Sequence, residues 1–424
     1  MAGLEDPRQP QEPTDITYPL PALLFEGVLM FLCRLGARRQ VGFLLRNEVA
    51  ARTFETLFGV AKVAHGDTMN NVLCALRPEA VQEMVCAMTE TLIRKKLLNA
   101  QRLLGKYYCI AIDGTGTLTY RDRHCPYCLT RTKDGKTTYY HNVLEAKLVT
   151  QNGFAFSIMS EFIENTEEGM TKQDCELKAF YRLAPRLKAR FQKLPIALLL
   201  DGLFAGGPVF GLCRRLGWRF LIGLKDDDLK TVNEEFESLC ALEAQNHLVL
   251  RTGKDGCVAQ QFRWANGISY VDTKKQEHEL AVLESKETKP AKNGEEKTTT
   301  FRWLSNFSVK TNNAIELANQ GGRLRWKVEN EGFNIQKNGG YELEHAYTQD
   351  ETGIKVYYYL LQIACMLAQL IEKGSLLKKA FPNGLGSAKN TALFLLEAWR
   401  NRPLHPDDYQ AIIRIKIQIR FDTS

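Results

Sequence analysis

The chain is predicted to fold as an α/β protein: a mixed sheet with a β-rich insertion, a helical region before it and helices after it. Two changes of texture along the 424 residues carry this expectation. Apolar residues first recur at helical spacing. They then gather into short β-branched runs that alternate with helical stretches, the pattern of a mixed sheet.

Residues 1–16 are rich in Pro and acidic side chains and are expected to be mobile. Residues 17–105 follow as a helical region, with "LPALLFEGVLMFLCRLGARRQVGFLLRN" and "EAVQEMVCAMTETLIRKKLLNAQRLL" at helical period. Between them, Asp67 or Thr68 is placed to cap a short helix. Arg34, Arg38, Arg39 and Arg46 form either a basic face for DNA or a solvated helix surface.

Residues 106–225 hold the first part of the core. "YYCIAIDGTGTLTY" (107–120), "YYHNVLEAKLVT" (139–150) and "FAFSIMSEFI" (154–163) read as strands, and 171–191 as a helix. "PIALLLDGLFA" is a buried strand ending in Asp201, followed by the helix "GPVFGLCRRLGW" and the strand "RFLIGLK". Residues 226–318 alternate polar and apolar positions and read as a β-rich insertion. Its strands surround a disordered-looking turn, "KETKPAKNGEEKT". A helix with the rest of the core (319–350) and a helical end (351–424) complete the chain, with "GGYELEHAYTQDE" as an irregular break.

Composition excludes several classes. With 44% hydrophobic and 25% charged residues this is ordinary globular content, and a net charge of +7 fits a polyanionic partner. The first residues lack a signal-peptide pattern, and apolar runs such as 357–371 fall short of the ~20 residues that span a bilayer. A soluble, intracellular protein is expected. The eleven cysteines are odd in number and scattered, which favours reduced, mostly buried thiols over a disulfide framework. No Ser-His-Asp set, phosphate-binding loop or dinucleotide glycine fingerprint is present.

The chemistry concentrates in carboxylates. Asp113 and Asp201 each close an apolar strand and precede a glycine, where ligands of α/β sheets bind. Each alone has a second reading, as a turn residue. Converging carboxylates repel unless hard cations lie between them, and paired Mg²⁺ ions promote phosphodiester displacement. A third carboxylate comes from "RWKVENEGFNIQK" (325–337). On a straight α-helix of about 100° per residue, Glu329 falls on the inward arc with Trp326 and Phe333, and Glu331 at its margin. The bland alternatives are an Arg325–Glu329 ion pair and a boundary surface charge at Glu331.

"IAIDGTG", "LLLDGLFA" and "RWKVENEGFNIQKNGGYELEH" resemble the three acidic motifs of bacterial insertion-sequence DDE transposases. The resemblance covers about 107–350 and is to the cut-and-paste group whose third motif is Y-x2-R-x3-E-x6-K. It implies an RNase H-like α/β catalytic core with a β-rich insertion. Asp113, Asp201 and Glu329 would be its catalytic residues and would hold two Mg²⁺ (or Mn²⁺) ions. The implied activity is hydrolysis at transposon ends, then strand transfer of the 3′-hydroxyl into target DNA. Double-stranded DNA would be the partner of a homodimer, with no membrane, in the cytoplasm and associated with the nucleoid. Two positions depart from the motif: Gly322 stands where the group has Tyr, and its Lys falls one residue late, at Lys337, with Gln336 in its place. A metal-dependent nuclease without strand transfer, and a transposase-derived protein that binds DNA without cutting, are the alternatives.

Arg325, Lys337, Trp303, Arg38 and Arg39 are the candidate DNA contacts. Trp303 could stack on an unpaired base or serve as a core strand aromatic, and Lys337 could reach a phosphate or remain solvated. Cys125-Pro-Tyr-Cys128 makes a tight knuckle and half a zinc site, completed only if His124, His141 or Cys109 joins it.

Overall fold

The computed structural model describes residues 4–8, 16–165, 173–253, 257–290, 295–375, 377, 381–415 and 420. The expected mobile start, 1–16, lies largely outside them. Of its described part, Leu4 packs against the main helical core.

Four helices open the described fold: α1 (Leu20–Leu32), α2 (Glu48–Phe58), α3 (Gly66–Leu73) and α4 (Pro78–Arg94), with a π-turn at Val41–Leu45 between α1 and α2. The cap of α3 differs from expectation. His65 takes it, its ring accepting from the Asp67 amide, and Asp67 lies in the first turn.

The sheet follows as β1 (Tyr108–Tyr120), β2 (Leu129–Lys133), β3 (Lys136–Val149), β4 (Ala155–Ile163), then α5 (Glu176–Arg190), β5 (Ile196–Leu200), α6 (Gly207–Leu216) and β6 (Arg219–Gly223). The predicted start of α5 at 171 falls outside the described residues. β1, β5 and β6 run parallel, and β3 lies antiparallel between β1 and β4. Ile110, Ile112, Leu198 and Leu200 face the helical layer of α5 and α6, while Cys109, Ala111, Ala197 and Leu199 face the other side. Burial on both faces accounts for the fully apolar runs of β1 and β5.

The insertion comprises α7 (Lys230–Leu242), β7 (His247–Thr252), β8 (Val258–Val271), β9 (Glu277–Pro290) and β10 (Glu296–Ser305). Its strands are not a separate sheet. β10 pairs with β6 through Trp303–Gly223 and Ser305–Leu221, giving one ten-stranded mixed sheet in the order β2-β3-β1-β5-β6-β10-β9-β8-β7, with β4 beside β3.

Three expectations for this region are corrected. The helix α7, with Val232 and Phe236 buried, has no counterpart in the strand-only reading. "CVAQQFRWA" and "ISYVDT" are one strand, because Asn266-Gly267 forms a β-bulge, with Gly267 at φ +72°, instead of a turn. The charged stretch 286–290 belongs to β9 and pairs with β10 up to Pro290–Glu296. Cross-strand partners such as Thr288 and Thr298, 3.0 Å apart through their hydroxyls, stabilise it there; residues 291–294 are outside the description.

The chain ends in α8 (Ala314–Asn319), a 3₁₀ turn (Gly322–Trp326), a π-turn (Val328–Phe333), α9 (Asn334–Asn338), α10 (Glu351–Lys373), α11 (Ala388–Asn401) and α12 (Pro406–Arg414). α10 is long and apolar enough to cross a membrane, but 72% of its apolar window is buried inside the fold. It packs against α1, α4 and β4, so the N- and C-terminal helical regions form one layer. All eleven cysteines are free thiols and seven of them are buried.

Candidate active site

The parallel register places two carboxylates side by side. β1 and β5 pair from Tyr108–Ile196 to Ala111–Leu199, and Asp113 and Asp201 each lie two residues beyond that last pair. β5 ends at Leu200, so Asp201 does close its strand and caps the following 3₁₀ turn, accepting from the Leu203 amide at 3.0 Å. Asp113 does not close its strand. β1 runs on to Tyr120 against β3, and only its parallel pairing stops there.

The 3₁₀ and π-turns cross the same strand ends and carry Arg325 and Glu329 over them. Arg325 Nη1 donates to Asp113 Oδ2 at 3.1 Å, and its guanidinium lies 4.5 Å from the Trp326 ring. The alternative reading of Glu329, an ion pair with Arg325, is not what the fold shows: Arg325 pairs with Asp113 instead. Glu329 is exposed and takes no hydrogen bond or ion pair among the described residues.

The straight-helix phase fails in part. Leu324, Val328, Gly332 and Phe333 are buried as expected, but Trp326 is 52% exposed and Glu329 faces solvent at the site's mouth. The segment is 3₁₀, then π, then α, so no single angle per residue describes it. Glu331 turns away, with its Oε1 2.8 Å from Lys327 Nζ.

A fourth carboxylate, Glu176, joins them from the first turn of α5. It packs against Gly114 so closely that a Cβ at that glycine would collide with its carboxyl group. Burial pushes Glu176 above its ordinary value of 4.5, and the charges of Asp113 and Asp201 push it further. Asp113 is likewise raised above 3.8 by burial. Arg325 pulls it down, Asp201 pushes it up, the Gly114 amide favours the anion and Glu329 opposes it. Sequence offered only one signal for Glu176, a carboxylate opening the helix after the third core strand.

Asp113 thus has Asp201, Glu329 and Glu176 near it and one guanidinium, that of Arg325, paired with it. The donor set is all oxygen with unbalanced negative charge, which fits a hard divalent cation. Three ligand atoms do not converge as they would for a single tight centre. Among the described residues the one set with all ligand atoms within 4.8 Å is Cys125, Cys128 and His141.

The candidate DNA contacts have different surroundings. Trp303 is 6% exposed, and a Cβ on Gly322 would collide with its indole, so it is a core residue and the base-stacking expectation is corrected. Lys337 pairs with Glu344 at 2.9 Å. Arg38 faces Asp67 at 3.4 Å and Arg34 faces Glu372, while Arg39 is exposed.

Of the three residues that could complete the knuckle, only His141 does so. Cys125 Sγ and Cys128 Sγ lie 3.4 and 3.5 Å from His141 Nε2, whereas His124 bonds the Gln349 carbonyl and Cys109 the Gln320 carbonyl. Burial lowers His141 to about 4, so its ring is neutral at pH 7. Compared with protein-family models and with characterised proteins, the chain matches none.

Proposed function

We propose that the protein is a DDE-type DNA transposase with an RNase H-like core, which hydrolyses phosphodiester bonds at transposon ends and joins the freed 3′-hydroxyl to target DNA. The observation that carries this reading is the register of β1 and β5, which sets Asp113 beside Asp201 beneath the turn bearing Glu329. A mixed β4-β3-β1-β5-β6 core sheet with β3 alone antiparallel supports it.

Both departures from the family motif acquire a physical account. A π-turn holds one residue more than an α-turn, and the π-turn Val328–Phe333 includes Glu329 and runs on toward Lys337, the pair whose spacing exceeds the motif by one. At Gly322 the indole of Trp303 occupies the space that an aromatic side chain would need.

Asp113, Asp201, Glu329 and Glu176 would hold divalent ions, which supply Lewis acidity to the attacking and leaving oxygens of phosphoryl transfer. The chain's own part is positioning and charge. Arg325, held at the site by Asp113, would also offer its guanidinium fork to the oxygens of a phosphate group, a bidentate role suited to arginine. Trp326, exposed beside it, offers a ring face to a base.

The test uses linear DNA carrying this chain's gene with its natural flanks, incubated with protein, Mg²⁺ and a target plasmid. Cleavage at the flanks with joined products, absent with Asp113→Asn, supports the transposase. Cleavage without joining assigns a nuclease. Equal DNA binding by both proteins with no nicking by either assigns a non-cleaving binder.

A further inference from the structure

The loop from β1 to β2 carries Cys125 and Cys128, and β3 brings His141 beneath them. The sulfurs are 3.5 Å apart and lie 3.4 and 3.5 Å from His141 Nε2. With Zn–S bonds of about 2.3 Å and Zn–N bonds of about 2.0 Å, neighbouring corners of a tetrahedral site are separated by roughly 3.5–3.8 Å. The three ligand atoms therefore already stand at the edges of such a site. All three residues are buried, and thiolate with imidazole selects zinc over the hard cations.

Local structure explains the convergence. The β1–β3 pairing shifts register between Gly116 and Leu118, and His141 is the residue paired with Leu118 at that irregularity. The Asn165 side chain holds the Cys128 carbonyl at 3.0 Å and fixes the loop from the other side. Tyr120 stands at the same place, its ring 6.1 Å from that of His141. Its hydroxyl is buried without a hydrogen-bond partner among the described residues, a group that a ligand in the fourth position would satisfy.

We propose that Cys125, Cys128 and His141 bind one zinc ion, with a water in the fourth position hydrogen-bonded to the Tyr120 hydroxyl. The site clamps the tip of the β1–β3 hairpin against the turn that precedes α10, which His124 touches through the Gln349 carbonyl at 2.8 Å. Binding releases the thiol protons to solvent and leaves both sulfurs as thiolates. This centre is separate from the carboxylates and does not depend on the transposase reading.

The full chain, purified without chelator from zinc-supplemented medium, is assayed for metal by mass spectrometry. About one zinc per chain is expected, falling to none in Cys125→Ser and Cys128→Ser and unchanged in Cys257→Ser, whose cysteine is exposed. Stripped wild-type protein titrated with Co²⁺ covers the case in which the variants do not fold. A thiolate-to-cobalt charge-transfer band, abolished by zinc, supports the site. The proposal is overturned by a Co²⁺ titration without that band, by equal zinc content in wild type and the serine variants, or by a Cys125–Cys128 disulfide in the purified chain.

Discussion

Glu329 and Glu331 are two positions apart in sequence and have different surroundings in the fold. Glu329 stands over Asp113 with no partner among the described residues, while Glu331 is tied to Lys327. Glu329→Gln and Asp113→Asn are expected to lower Mg²⁺-dependent cleavage by more than about 100-fold, and Glu331→Gln by much less. Glu176→Gln should weaken Mg²⁺ by roughly 10–100-fold, measured by titration of cleavage rate against metal. Both raised acids also set a pH dependence. A carboxyl whose folded pKa is raised disfavours the fold as pH rises from its ordinary value, 3.8 for Asp113 and 4.5 for Glu176, through the raised one. Metal-free protein should lose melting temperature across that window, and Mg²⁺ should restore it. Sequence motifs indicated Asp113, Asp201 and Glu329. Glu176 was not legible because its proximity depends on Gly114, on the distant strand β1, being small enough to admit it.

The elements were legible where local pattern decided them. β1, β3, β4, β5 and β6 all lie within or close to their expected ranges, since burial on the sheet's faces imposes long apolar runs. They were not legible where a special turn replaced a regular one. The π-turn at Val328–Phe333 defeated the helical phase, and the bulge at Asn266-Gly267 looked like a strand end. Gly322 follows from contact: Gly322→Ala should cost about 1–3 kcal/mol by overpacking against Trp303. Chemical denaturation measures that loss, and combining it with Trp303→Leu should recover part of it.

At the scale of the whole molecule, regions that read as separate are joined. β10 continues the sheet from β6, and α10 supplies the core for helices at both ends of the chain. Long-range pairing of this kind leaves no local trace, so an insertion and two helical regions were all that sequence could delimit. Replacing 226–318 by a short linker should expose the β6 edge and yield insoluble protein, seen by fractionation after expression. A second global effect comes from Glu26, buried in α1 and raised by that burial from 4.5 to about 8. The fold keeps this carboxyl protonated, so stability should fall, on the order of 1 kcal/mol per pH unit, as pH rises from 4.5 to about 8. Glu26→Gln should remove that slope in melts at successive pH values.

The central claim is that carboxylates from β1, β5 and the turn after α8 hold divalent cations. Mn²⁺ binding followed by electron paramagnetic resonance tests it most directly, on the wild-type chain and on Asp113→Asn, Glu329→Gln and Glu331→Gln. Binding lost in the first two variants and retained in the third is the predicted result. Equal binding by all four proteins, or loss with Glu331→Gln and retention with Glu329→Gln, would contradict it.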